Sequence, residues 1–223
     1  NDKQQFTGKL SVLDNKKLAK MDLKNEKETN LALEKIRNSS FNITKISTKR
    51  VKRNPLPPFT TSTLQQEASN KLSFGASRTM RIAQKLYEGI NIGSETTGLI
   101  TYMRTDGVQL STQAIDELRN EITNLHGKEY IPQTPRVYKS KAANAQEAHE
   151  AIRPTAISRH PESISTYLDD EQFKLYELIW KRTISSQMQS AELDETSADI
   201  SNKDKTIVFR ANGSQVRFPG FFI

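Results

Sequence analysis

Three side chains at two-residue spacing, Tyr102, Arg104 and Asp106, form the strongest chemical constellation in this 223-residue chain. They lie in Gly98-Leu99-Ile100-Thr101-Tyr102-Met103-Arg104-Thr105-Asp106, where a short apolar run gives way to polar residues. Side chains two apart on an extended backbone point the same way. These three would therefore share one face, with Thr101, Met103 and Thr105 on the other. A phenol titrates near pH ~10 when free and needs help to become a nucleophile at neutral pH. A neighbouring guanidinium stabilises the phenolate, and its planar fork of donors also grips a phosphate. The chain holds six tyrosines, and any one tyrosine more often packs than reacts. Spacing alone makes Tyr102 a candidate and no more.

The elements around this stretch follow from periodicity and punctuation. Residues 5–20 suggest a strand pair, with Phe6, Leu10, Val12 and Leu13 interrupted by the turn cluster Asp14-Asn15-Lys16. Leu31–Ile36 suits a short helix, and Phe41–Val51 a strand. Asn54-Pro55-Leu56-Pro57-Pro58 must be extended, because proline disfavours helix in the residue before it, and it reads as a domain junction. A helix then starts at a Ser62 or Thr63 cap, with Leu64, Ala68 and Leu72 on one face until Gly75. A second runs from Ser77 to Gly89 with Met80, Ala83, Leu86 and Tyr87 inward. Ile90–Gly98 is a polar loop that delivers the chain to Tyr102. Downstream come a helix from Ser111 or Thr112 to Gly127, burying Ile115, Leu118, Ile122 and Leu125, and a loop over Pro132–Pro135. Two helical turns over Ala145–Ile152 are followed by the clearest helix, Asp170–Met188. Thr196–Phe218 suggests two or three strands turning at Asn202-Lys203-Asp204 and Asn212-Gly213.

Charge narrows the partners. Thirty-three Lys and Arg stand against 26 Asp and Glu, a net +7, with a pI near 9.5. Such a balance suits an anionic partner, nucleic acid before an acidic membrane surface. Arg78, Arg81 and Lys85, at steps of three and four, make a basic stripe on the second helix and are candidate DNA contacts. Lys45, Lys49, Arg50, Lys52 and Arg53 form a second basic group, better read as a solvated strand end than as a phosphate contact. Cysteine is absent, which excludes disulfides, thiolate metal sites and thiol catalysis. No apolar run approaches the ~20 residues that span a bilayer, and no signal peptide is visible. The chain opens on Asn1 and stops in the apolar Phe218–Ile223, so it reads as a piece of something longer.

Gly98–Asp106 closely resembles the active-site segment of the type IA DNA topoisomerases. Two other stretches agree in the family's order: Pro58-Phe59-Thr60-Thr61-Ser62-Thr63-Leu64-Gln65-Gln66 upstream and Gln146-Glu147-Ala148-His149-Glu150-Ala151-Ile152-Arg153-Pro154 downstream. Arg78–Glu88 also looks like the family's helix. The resemblance covers essentially the whole chain and is weakest in the first fifty residues.

That resemblance implies a function: Tyr102 joins the 5′ phosphate of a cut single strand and leaves a 3′ hydroxyl. A second strand passes, the first is resealed, and negative supercoils relax. Arg104 would hold the scissile phosphate. His149 would contact that phosphate or Asp106, and Arg153 would orient Glu150 or bind phosphate. Tyr102, Arg104, Asp106 and His149 are thus the expected catalytic set, with Arg78, Arg81, Lys85, Arg104 and Arg153 as expected DNA contacts. The zinc-protease pattern needs a second histidine four residues after the first. Arg153 occupies that place, so no metal is assigned at His149.

Two departures from the family stand out. Gly107 sits where serine is usual, so one hydroxyl contact is missing. The family's magnesium is held by acids of an N-terminal domain, and no Asp-x-Asp-x-Glu pattern occurs here. Asp169-Asp170-Glu171 reads instead as a helix start. Magnesium is therefore expected in the full enzyme but outside this chain, which alone should not cleave DNA. The expected fold is mixed α and β: a mostly helical, tyrosine-bearing gate domain over 56–160, inserted in a discontinuous β-rich arch over 1–55 and 161–223. Expected partners are single-stranded or negatively supercoiled DNA and the remaining domains of the same polypeptide, in the bacterial cytoplasm at the nucleoid, with no membrane. The alternative is a non-catalytic single-strand-binding module that uses Tyr102 as a stacking platform.

Overall fold

A computed structural model describes residues 5–93, 95–139 and 150–223. The chain divides into two compact units, Asn1–Arg53 with Glu192–Phe218, and Asn54–Ala191 with Pro219–Ile223.

The first unit is a five-stranded sheet in the order Lys16–Lys17, Lys9–Leu13, Ile207–Phe218, Ala191–Ser201, Asn42–Arg53. Its strands are β1 (Lys9–Leu13), β2 (Lys16–Lys17), β3 (Asn42–Arg53), β6 (Ala191–Ser201) and β7 (Ile207–Phe218). Asp14 and Asn15 take positive φ of 51° and 65°, the left-handed pair that closes a two-residue hairpin. β6 and β7 run antiparallel over their whole length, with Ser197 opposite Asn212 and Thr196 opposite Gly213. Asn212-Gly213 therefore lies inside a strand; the turn expected there is absent, and the hairpin turns once, between Ser201 and Ile207. Helix α1 (Glu26–Arg37) is longer than Leu31–Ile36, because Asn25 caps it by accepting from the Glu28 amide. Ala32 is its buried residue, and Leu33 is exposed.

The basic group on β3 is exposed, as a solvated strand end should be, but most of its cations are ion-paired across the sheet. Arg50 pairs with Asp194 at 3.0 Å, Lys52 with Glu192 at 3.1 Å and Arg53 with Glu195 at 2.8 Å. The acids come from β6, some 140 residues away, where sequence spacing gives no sign of them. Asp194 also receives Arg217 at 2.7 Å. Hydrogen bonds from Arg50 and then Arg217 hold its carboxyl at about 2. A free aspartate titrates near ~3.9, so as pH falls the unfolded chain takes the proton first. This contribution is complete above about pH 4 and is lost as pH drops toward about 2. Asp194→Asn should flatten the pH dependence of the denaturation midpoint in that window and lower the midpoint near neutrality, where the wild-type contribution is complete.

The second unit is helical, with α2 (Thr61–Leu72), α3 (Ala76–Glu88), α4 (Thr112–His126) and α5 (Asp170–Ser186). Leu64, Ala68, Ile82, Ala83, Leu86, Leu175, Tyr176 and Ile179 pack α2, α3 and α5 into one core. Each such large side chain contributes about 1.5–3 kcal/mol by leaving water. Leu118 and Ile122 of α4 meet Ile157, Ile184 and Met188 in a second cluster. Leu125, expected inside, is 41% exposed. Asp169 caps α5 in a reciprocal box with Gln172, as Asp169-Asp170-Glu171 suggested. Residues 161–191 were expected with the sheet-rich segment; α5 instead completes the helical core. Ile90–Gly98, expected as plain loop, contains a short hairpin of β4 (Ile90–Asn91) and β5 (Thr96–Thr97).

Candidate active site

The stretch around Tyr102 is held between the start of α2 and the segment 150–155. The cap of α2 is Thr60, not Ser62 or Thr63. Its hydroxyl accepts from the Thr63 amide, and the Thr63 hydroxyl accepts from the Thr60 amide at 2.9 Å. Phe59 is fully buried, and its carbonyl accepts from the Ile152 amide at 2.8 Å. Arg182 lies 4.2 Å over the Phe59 ring and pairs with Glu67 at 3.2 Å. The entry to α2 is thereby tied to α5.

From Gly98 onward the backbone is stitched on one side to 151–155. The Thr101 amide donates to Arg153 O at 2.9 Å, and the Thr155 amide to Leu99 O at 3.0 Å. The Thr101 hydroxyl donates to Ala151 O at 2.7 Å and accepts from the Arg153 amide at 3.0 Å. Ile100 bridges Pro154, and the Leu99 amide donates to Leu86 O at 2.7 Å at the end of α3. Glu150–Ile152 is extended rather than helical. The helix expected over 145–152 fails in its described part because these residues pair laterally with Phe59 and Gln109. Residues 145–149, His149 among them, lie outside the described residues.

Leu99, Ile100, Met103 and Thr105 are buried, while Tyr102 is 43% exposed and Arg104 and Asp106 are exposed. The expected alternation of faces is present, although the segment is a series of bends, not a regular strand. Tyr87, expected inward, is exposed, and its ring meets Tyr102 edge to face at 5.4 Å. A Cβ on Gly98 would lie 2.5 Å from Tyr87 O. The chain passes the end of α3 there with no room for a side chain.

Arg153 donates to Glu150 through Nε at 3.1 Å and Nη2 at 2.8 Å, and to Pro154 O through Nη1 at 2.9 Å. Arg153 is thus ion-paired with the Glu150 carboxylate. Glu150 in turn accepts the Ser111 amide at 2.6 Å. Burial opposes ionisation of Glu150, but the bonds from Ser111 and the Arg153 charge prevail and hold its carboxyl below the usual range. The basic stripe is partly neutralised: Arg78 pairs with Glu171 of α5 and lies 4.6 Å over Phe74. Arg81 and Lys85 are exposed. At about 100° per residue, Arg81, Lys85 and Arg78 occupy the edge of α3 toward α5, and Tyr87 occupies the opposite edge of the exposed arc. The stripe and Tyr102 therefore do not share one side of α3.

Sequence reasoning passed over Thr61, Thr101 and Tyr87. Thr61 lies within Pro58–Gln66, yet nothing in its spacing marks a hydroxyl that reaches Met103 O, 42 residues downstream.

The DNA topoisomerase family model matches residues 2–223. The chain belongs to the type IA DNA topoisomerase family. It is 52% identical over 97% of its length to DNA topoisomerase 1 of Rickettsia bellii and 48% identical over 98% to that of Xylella fastidiosa strain Temecula1. In each case it spans 27% of the relative. Full-length topoisomerase I from Thermotoga maritima superposes with a TM-score of 0.78 at 37% identity, over 97% of this chain and 33% of that one. Among the described residues no group of three or more His, Asp or Glu side chains is placed to hold a metal ion. Among the described residues no helix is long and apolar enough to cross a membrane.

Proposed function

We propose that this chain carries the nucleophile of a topoisomerase that cuts and reseals one DNA strand. The observation behind this reading is the exposed Tyr102 phenol on a backbone buried and bonded on both sides, with exposed Arg104 two residues on. Tyr102 Oη bonds to a backbone phosphorus as the bond from phosphorus to O3′ breaks. The phenolic proton passes to solvent, and O3′ takes a proton from solvent as it leaves, so it departs as a hydroxyl. One phosphate diester replaces another of similar energy, so resealing needs no ATP. Arg104 grips the non-bridging oxygens as charge builds on them. Asp106 and His149 belong to the same site in this reading, with His149 on the phosphate or on Asp106. Magnesium, if required, is held outside this chain, and no step here runs through it.

The same reading makes the helical unit the gate of a β-rich arch. The sheet unit is assembled from two chain segments that flank the helical one, as an inserted domain requires. DNA at the bacterial nucleoid is the proposed partner. The test uses the full-length enzyme and a single-stranded oligonucleotide labelled at its 3′ end. Wild type should retain label after denaturation, and Tyr102→Phe should not, while still binding the strand with steep salt dependence. Covalent label on Tyr102→Phe would reject the reading.

A further inference from the structure

Thr61, the first residue of α2, holds the backbone on both sides of Arg104. Its hydroxyl accepts from the Thr105 amide at 2.9 Å and lies 2.7 Å from Met103 O and 3.1 Å from Thr105 O. Its amide donates to Thr105 O at 2.9 Å. A hydroxyl has one proton to give. The shorter contact assigns that proton to Met103 O, because the Thr61 amide already serves Thr105 O. Every one of these groups belongs to Met103 or Thr105, the two neighbours of Arg104. The Arg104 side chain has no hydrogen-bond or ion-pair partner among the described residues, so the backbone of Met103–Thr105 is what fixes where its Cα–Cβ bond points. Thr60 and Thr63 lock the helix start that presents Thr61.

We propose that Thr61 is a positioning residue for strand cleavage, acting through the backbone of Met103 and Thr105 to aim Arg104 at the scissile phosphate. The proposal rests on the reading that Tyr102 and Arg104 act on a DNA phosphate. Valine matches threonine in shape but can neither give nor accept the bond; serine can do both.

In the full-length enzyme Thr61→Val should slow single-turnover covalent attachment to a single-stranded oligonucleotide by roughly 10²-fold, the cost of about 1 Å of misplacement. Affinity for the uncut strand should stay within about twofold. Thr61→Ser should recover attachment to within a few-fold of wild type. Added to Arg104→Ala, Thr61→Val should cost little more, since residues acting as one unit are not additive. Wild-type attachment by Thr61→Val, a Thr61→Ser enzyme as slow as Thr61→Val, or full multiplicative loss on the Arg104→Ala background would each overturn the proposal. Those outcomes leave the reading of Tyr102 standing. Covalent label on Tyr102→Phe removes that reading instead.

Discussion

Arg104→Ala in the full-length enzyme is expected to lower the rate of covalent attachment to a single strand by ~10²–10³-fold, the usual loss when one positioned charge-stabilising donor is removed. Its melting temperature should stay at the wild-type value. Arg104 is exposed and makes no bond among the described residues, so its removal breaks no packing. Lysine should rescue only partly, because a point charge cannot grip two phosphate oxygens in parallel. A single-turnover assay across wild type, Arg104→Ala and Arg104→Lys checks this order. Wild-type rates in Arg104→Ala would make Arg104 a bystander.

The second large effect is expected at Gly98. An alanine Cβ would sit 2.5 Å from Tyr87 O, and that oxygen is main chain that cannot swing aside. Either the end of α3 or the Leu99–Tyr102 backbone must move. Overpacking of this kind costs about 1–3 kcal/mol, a drop of several degrees in melting temperature for a chain of this size, at roughly 2–4 °C per kcal/mol. Attachment should fall further than stability alone explains, since the displaced atoms carry Tyr102, the proposed nucleophile, and its Tyr87 neighbour. Gly213→Ala is the control: a Cβ there meets nothing within 4 Å, and stability should change by no more than about 0.5 kcal/mol. Calorimetry alongside the attachment assay separates the two effects. A Gly98→Ala protein with unchanged melting and attachment would show that the crossing at α3 is loose.

Much of this was legible in the chain itself. The period-two spacing at Tyr102, Arg104 and Asp106 is reproduced in burial, because buried Met103 and Thr105 alternate with them. The caps at Ser111 and Asp169 and the stop at Gly89 follow from local chemistry that any helix end must satisfy. What stayed hidden depends on distant partners. Nothing near Lys49–Arg53 announces the acids of β6, and nothing near Arg78 announces Glu171. Residues 150–152 carry a composition compatible with helix, yet their amides and carbonyls are claimed by Phe59, Gln109 and the Tyr102 stretch, and lateral pairing overrides propensity. The cap at Thr60 was missed for a related reason: Phe59 is pinned by Ile152 and Arg182, which sets where the helix begins.

The most direct measurement is peptide mapping of the adduct trapped between the full-length enzyme and a cleaved strand. A nucleotide bonded through its 5′ phosphate to the peptide spanning Thr101–Arg104, at the Tyr102 oxygen, is the expected result. The same adduct found on any other side chain would contradict the assignment of the nucleophile and everything built on it.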